Sequence, residues 1–150
     1  MSLTPKQINT FTLFKLPSVF FCGVRVKSIS ESSCMVSVKY RWINQNPFKS
    51  MFWAVQGMAA ELTTGALVMS CIKENNHKIS MLVANNKASF FKKATGRINF
   101  TSNDGEKIKE AINKAVETKE GQTCWMKAEG VNKEGIVVSV FEFEWTVKVK

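Results

Sequence analysis

The clearest pattern along the chain is an alternation of apolar and polar residues near its C-terminus. Over Val137–Val149 the order is Phe141, Glu142, Phe143, Glu144, Trp145, Thr146, Val147, Lys148, Val149. A period of two is typical of a strand with one buried face. Together with Thr123–Glu129 and a turn at Asn132–Gly135, the pattern predicts a β-hairpin.

Shorter alternations predict the remaining strands. Three of them cover Val24–Ser28, Cys34–Tyr40 and Arg97–Thr101, and we expect the first two to pair as a hairpin. Two further apolar runs, Ile79–Ala84 and Lys87–Lys92, are interpreted as one long or bulged strand.

Three segments have helical patterns. Thr4–Leu16 has a capping Thr4 and ends before Pro17, and Gly105–Lys119 has one apolar face. Met51–Ile72 is long and apolar, with a single charged residue. The element order predicts an α+β fold: a curved antiparallel sheet of about six strands wraps the long helix, which is apolar nearly all round because the sheet surrounds it.

Composition narrows the class of protein. With 150 residues, 45% of them apolar, and no linker or repeat, residues 1–150 are predicted to form a single domain. The four cysteines are widely spaced, so we expect reduced thiols, and neither they nor His77 predict a metal site. No secretory signal is recognisable, which predicts a cytosolic location, and the polar residues within Met51–Ile72 argue against a membrane span.

The net charge of +9 favours an anionic partner. The charge is not concentrated in a tail, and no zinc-finger spacing, basic helix or RNA-binding aromatic signature accompanies it. Nucleic acid therefore lacks a specific signal, and a phosphate-bearing small molecule fits equally well.

Glu61 is the candidate for chemistry, since it is the one carboxylate in the long apolar helix. A buried, unpartnered carboxylate costs several kcal/mol, so we expect a fold that buries Glu61 either to pair it or to use it. Gly57 and Gly65 lie four residues before and after it on the same helix face, with Met58 and Thr64 beside them. The glycines either leave room for a ligand or allow a strand or a partner's helix to pack closely.

Several runs together resemble the hotdog fold of acyl-CoA thioesterases and related dehydratases. They are Leu16–Pro17, Gly23–Val26, Asn46–Ser50, Met58–Leu62 and Phe90–Gly96. The resemblance is to an uncharacterised branch related to the phenylacetyl-CoA type of thioesterase. It implies an acyl-CoA substrate, with coenzyme A present only as part of that substrate. It also implies a homodimer that pairs sheets edge to edge and forms its sites between subunits, with a homotetramer left open.

The phenylacetyl-CoA type has an Asn, a Gly three residues on, a His-Gly-Gly run, and an acid seven residues after the last Gly. With its Asn on Asn46, the acid falls on Glu61 without a gap. Between them Lys49 replaces the first Gly, Phe52 the His, and Trp53 and Ala54 the Gly pair. Phe52 and Trp53 would line an acyl pocket or close it. Asn46 would hold water or the acyl carbonyl, unless it only shapes a turn before Pro47.

The hypothesis that follows is thioester hydrolysis with Glu61 as general base or nucleophile. Backbone N–H groups around Met51–Trp53 would stabilise the oxyanion. The cations Lys92, Lys93 and Arg97 would receive coenzyme A phosphates, or would simply be solvated strand ends. Two alternatives stay open: a non-catalytic hotdog module that binds acyl-CoA or a partner, and a hydratase or dehydratase relative, which usually needs a histidine in the site.

Overall fold

The computed structural model describes residues 2–150 and confirms the α+β prediction. Its helices are α1 (Pro5–Lys15), α2 (Pro17–Phe21), α3 (Trp53–Glu74) and α4 (Gly105–Thr118). Its strands are β1 (Arg25–Ile29), β2 (Cys34–Lys39), β3 (Ile79–Phe90), β4 (Arg97–Ser102), β5 (Gln122–Val131) and β6 (Val137–Val149). Both predicted hairpins form, because β1 pairs with β2 and β5 pairs with β6.

The six strands form one antiparallel sheet in the order β1-β2-β4-β5-β6-β3. Helix α3 lies on the inner face of this sheet and packs on β1, β2, β4, β5, β6 and α4. The core between them contains the inward-facing side chains of the strands and the small residues of the helix, such as Ala59, Ala60 and Ala66. Helix α3 is long and apolar enough to cross a bilayer, but its apolar faces are packed against protein.

Strand β3 is an edge of the sheet, with β6 as its one neighbour in residues 2–150. It pairs with β6 from Ile79 to Phe90, and the register shifts between Val83 and Asn85, so the prediction of one long, bulged strand is confirmed. The side chain of Leu82 on this strand is 67% exposed. Long exposed edges pair readily with other chains, so β3 is a candidate interface.

The structure differs from the sequence prediction at two helices. Pro17–Phe21 forms the short helix α2, which the prediction left out. Helix α3 begins at Trp53 instead of Met51, because the N–H groups of Met51 and Phe52 donate to the carbonyl oxygens of Ala94 and Asn44. These two bonds hold the residues before the helix in an extended conformation.

The expectation that the sheet surrounds α3 is wrong along one stripe of the helix. Trp53 and Glu61 on this stripe are exposed, and Gly57 and Met58 between them are partly exposed. The reason is that β3 pairs with β6 but does not pack closely on α3. A groove is left between the helix and the edge strand.

Candidate active site

Glu61 lies in the groove between α3 and β3, which we call the Glu61 groove. Its volume is about 370 Å³, within the usual ~300–1,000 Å³ of small-molecule sites. Helix α3 supplies one wall, the edge strand the opposite wall, and the N-terminal helices the end. The lining residues are Phe11, Leu16, Val19, Met58, Glu61, Leu62, Gly65, Met69, Met81, Leu82, Val83 and Trp145.

The expectation that Glu61 is buried is wrong for a single chain, since solvent reaches its side chain from the open side of the groove. The carboxylate has no ion pair or side-chain hydrogen bond within residues 2–150. The groups around it are apolar, and this partial burial raises the pKa of Glu61. A carboxylate that is both reachable and poorly solvated is suited to proton transfer.

The glycines on the helix face make room for aromatic rings of β6. A Cβ at Gly65 would lie 3.2 Å from the Trp145 ring, and one at Gly57 would lie 3.5 Å from the ring of Phe141. The indole N–H of Trp145 donates to the Thr64 hydroxyl at 2.9 Å. Thr64 is therefore hydrogen-bonded to strand β6 and does not line the Glu61 groove, whereas Met58 and Gly65 do.

A second cavity of about 450 Å³ opens at the N-terminal end of α3. We call it the Asn46 pocket. Its lining residues are Asn46, Pro47, Phe48, Ser50, Met51, Phe52, Trp53, Gln56, Phe90, Lys92, Lys93 and Ala94. The candidates predicted from sequence are thus divided, with Glu61 in one cavity and Asn46 in the other.

The Asn46 side chain organises the turn before α3. Its Oδ1 accepts from the N–H groups of Phe48 at 2.8 Å and Ser50 at 3.2 Å, and its Nδ2 donates to the Ser50 hydroxyl at 2.9 Å. These hydrogen bonds match the alternative considered from the sequence, in which Asn46 shapes the turn before Pro47. Asn46 shapes the pocket, and any contact with a ligand would add to these bonds.

The first turn of α3 presents free donors at the Asn46 pocket. Helix N-termini leave their first N–H groups without helical acceptors. Here the N–H groups of Val55 and Gln56 donate to the Phe52 carbonyl, whereas those of Trp53 and Ala54 have no hydrogen-bond partner within residues 2–150. The expected donors at Met51 and Phe52 are already used, so the free pair begins at Trp53.

The predicted cations do not act together. Lys92 and Lys93 lie at the rim of the Asn46 pocket, and Lys93 Nζ donates to the Phe48 carbonyl at 3.2 Å. Arg97 projects from β4 to the Ser37 hydroxyl at 3.0 Å and lines neither cavity. Phe52 and Trp53 pack edge to face at the pocket, with ring centroids 6.1 Å apart.

Sequence reasoning missed the buried pair beneath the Asn46 pocket, where the Ser139 hydroxyl donates to Gln56 Oε1 at 2.8 Å. A polar residue in an apolar helix was a signal for Gln56, but its partner lies far along the chain. In the described part of the chain, no three His, Cys, Asp or Glu side chains are grouped as metal ligands. His77 lies in an exposed turn against Asn75.

Comparisons with known proteins agree with this architecture. A family model described as "Domain of unknown function (DUF4442)" matches residues 4–147. No curated protein matches the sequence.

Solved structures match nearly the whole chain. Protein PA5026 of Pseudomonas aeruginosa, of unknown function and named a probable thioesterase, has a TM-score of 0.81 and 18% identity, covering 100% of this chain and 99% of its own. A protein of unknown function from Chlorobaculum tepidum has a TM-score of 0.83 and 19% identity, covering 99% of both chains. Thioesterase HI1161 of Haemophilus influenzae has a TM-score of 0.70 and 9% identity, covering 99% and 93%.

Proposed function

Since this chain belongs to the DUF4442 family and has the hotdog fold, we propose that it is an acyl-CoA thioesterase whose reaction depends on Glu61. The observation that carries the proposal is a solvent-accessible carboxylate of raised pKa in an apolar groove of ligand size. Two of the solved structures with this fold are named as thioesterases, one of them as a probable one. We expect the reaction to take place in the cytosol.

In the proposed reaction, Glu61 takes a proton from water while the water oxygen attacks the thioester carbonyl carbon. The resulting oxyanion accepts hydrogen bonds from the free N–H groups of Trp53 and Ala54. The carbon–sulfur bond then breaks, and the leaving thiolate takes the proton back from Glu61. Attack by the carboxylate itself, followed by hydrolysis of an anhydride, uses the same groups.

Glu61 and the helix-start donors lie in different cavities of one chain, and a dimer would bring them together. Strand β3 borders the Glu61 groove at Met81–Val83 and the Asn46 pocket at Phe90, near its two ends. If two β3 edges pair antiparallel about a two-fold axis, the start of one strand lies beside the end of the other. Each Glu61 groove then adjoins the Asn46 pocket of the partner subunit.

The apolar groove suits the acyl group, and the Lys92 and Lys93 side chains at the rim of the Asn46 pocket suit coenzyme A phosphates. Arg97 points elsewhere, so we leave it out of this role. Since these contacts are charge-assisted and exposed, added salt is expected to raise the KM for acyl-CoA.

A second candidate function is binding of acyl-CoA without turnover. The observation that favours it is the pair of rings at Phe52 and Trp53, which are 45% and 58% exposed and stand where the thioesterase pattern has His and Gly. A hydratase or dehydratase has less support, because His77 lines neither cavity.

The test is thiol release from short, medium, long and aromatic acyl-CoAs by the wild type and Glu61→Gln. General-base catalysis contributes about 10²–10⁴-fold, so we expect the variant to lose activity by that factor. Glu74→Gln, the same change at the exposed end of α3, is the matched control and should keep full activity. Full turnover by Glu61→Gln would contradict the proposal, and binding without turnover by the wild type would favour the second candidate.

A further inference from the structure

The outer face of β1, β2 and β4 carries a group of cations. Along these strands Val24, Val26, Val36, Val38, Ile98 and Phe100 point into the core. Because side chains alternate along a strand, Arg25, Lys39 and Arg97 point to the opposite face, away from α3. Arg41 follows β2 and lies close to Arg25. We call these four residues the outer basic cluster.

The outer basic cluster has no counter-charge of its own. Asp and Glu are absent from sequence positions 1–30, 32–60 and 75–103, which include all of β1, β2 and β4. Lys39 and Arg97 are directly opposite each other in the β2–β4 register, an arrangement that is destabilising for like charges. None of the four residues forms an ion pair with another part of residues 2–150.

Three of the four side chains are held in place. Arg97 Nη1 donates to the Ser37 hydroxyl at 3.0 Å. Ser37 is only 1% exposed, although no helix of the described residues packs on this face of β2. Arg25 Nη1 donates to the carbonyl oxygens of Phe20 at 2.7 Å and Val24 at 2.9 Å, and the guanidinium lies 3.6 Å from the centroid of the Phe20 ring. The Arg41 guanidinium lies against Gly23.

Fixed guanidinium groups without a counter-charge are arranged for an anion. Each uses only part of its donor set within the chain, and guanidinium groups bind phosphate oxygens in pairs of hydrogen bonds. Ordering long cationic side chains beside one another has an entropic and an electrostatic cost, and a bound dianion would offset both. Ser37, which Arg97 contacts, has Arg25 directly opposite on β1 and Lys39 two residues further along β2.

We propose that the outer basic cluster binds a phosphoryl group of a small soluble ligand, at a site separate from the proposed active site. The sheet lies between this cluster and α3, so the two sites are on opposite faces. Ser37 and Asn99 lie beside the cations on this face, and Met35 and Thr101 follow one step further along the strands. None of these four is a large exposed apolar side chain. The strand positions therefore carry none of the large apolar anchors that a membrane-binding surface uses. Trp42, which follows Arg41 in the chain, is 82% exposed, so the test below includes anionic vesicles.

The test is calorimetric titration of the full chain with inorganic pyrophosphate at low ionic strength. We expect saturable binding by the wild type that weakens about tenfold or more in Lys39→Gln/Arg97→Gln, since two charge-assisted contacts are lost. The control is Lys114→Gln/Lys133→Gln, which changes the net charge equally at sites outside the cluster and should stay within about twofold of the wild type. Glu61→Gln should bind pyrophosphate as the wild type does, which separates this proposal from the thioesterase proposal.

Thermal unfolding gives a second readout that does not depend on titration. Without added anion and at low salt, Lys39→Gln is expected to raise the Tm, because a like-charge opposition is removed. With pyrophosphate, the wild type should gain more in Tm than Lys39→Gln does. The proposal is overturned if pyrophosphate does not bind saturably, if the control variant loses as much affinity, or if the protein binds anionic phosphatidylglycerol vesicles but not pyrophosphate.

Discussion

The Glu61 side chain is reached by water from one side and is surrounded by apolar groups on the others. This environment disfavours its charged form and raises its pKa above the ordinary value of about 4.3. A base of raised pKa transfers protons more effectively near neutral pH, and the same shift carries a cost in stability.

The loss of folding stability caused by Glu61 should depend on pH. Between the unfolded and the raised folded pKa, the folded state binds more protons, so stability falls as pH rises through that window, and the loss persists above it. Glu61→Gln removes the ionisation, so we expect it to be more stable than the wild type at pH 8 and to lose that advantage near pH 4. Urea unfolding at both pH values measures this. An advantage of Glu61→Gln that does not change with pH would contradict the assignment.

Thr64 offers a second residue-scale test. Its hydroxyl accepts the Trp145 indole N–H at 2.9 Å, and both side chains are buried. Thr64→Val should leave that donor unsatisfied and lower the free energy of unfolding by about 1–3 kcal/mol. Thr63→Val is the matched control, because the Thr63 hydroxyl only donates to the Ala59 carbonyl of its own helix. Equal losses in the two variants would mean that the Trp145 bond contributes little.

The sequence identified Glu61 because a lone charge in an apolar helix is visible in the pattern. It did not reveal that Glu61 is exposed, since periodicity does not say which stripe of a helix the sheet leaves open. For Arg97 too, the sequence pattern predicted the position of the residue but not the contacts of its side chain. Its position at a strand start was predicted correctly, but its contact with Ser37 depends on the β2–β4 pairing.

At the scale of elements, the start of α3 carries the proposed oxyanion donors. Trp53 is the first helical residue, and its N–H is free. Phe52 before it has an extended conformation (φ −59°, ψ 134°), which is compatible with a proline at position 53. Trp53→Pro should therefore preserve the helix while removing one donor. We expect hydrolysis to fall about 10²–10³-fold, as for other oxyanion donors.

The control for this change is Trp53→Ala, which removes the same ring but keeps the N–H. Thiol release by the two variants, with helix content followed by circular dichroism, separates the ring from the donor. If both variants lose activity equally, the ring matters and the N–H does not.

Helices and strands could be predicted from the sequence wherever the pattern of apolar and polar residues was long. Alternation over Val137–Val149 and the apolar run of α3 were sufficient, and the predicted bulge in β3 is present. Helix α2 was missed because five residues between Pro17 and Phe21 are too short for a helical period. The start of α3 was placed two residues early because the bonds from Met51 and Phe52 are to distant carbonyls.

At the scale of the whole molecule, the exposed edge β3 determines the expected assembly. Leu82 is 67% exposed on this edge, and a charge there would oppose pairing between two copies. We expect the wild type to be a dimer and Leu82→Lys to shift it toward the monomer, measured by light scattering at matched concentrations. Ile136→Lys, in the exposed turn that joins β5 to β6 and outside the β3 edge itself, is the control. A wild type that is monomeric at all concentrations would contradict pairing through this edge.

The hairpins could be predicted from local sequence, but the order of strands in the sheet could not. The neighbours β2–β4 and β3–β6 pair residues that are distant in the chain, and no local pattern records them. The resemblance to hotdog proteins supplied the overall fold at the sequence level. The division of the candidate residues between two cavities became visible only with the sheet in place.

The most direct test of the account is thiol release by a mixture of Glu61→Gln and Trp53→Pro protomers, refolded together. If each site combines Glu61 of one subunit with the helix start of the other, each mixed dimer contains one intact site. Half of the dimers are then mixed, so about a quarter of wild-type activity should return. Activity no greater than the two variants give separately would contradict the shared site and place both groups in a single chain.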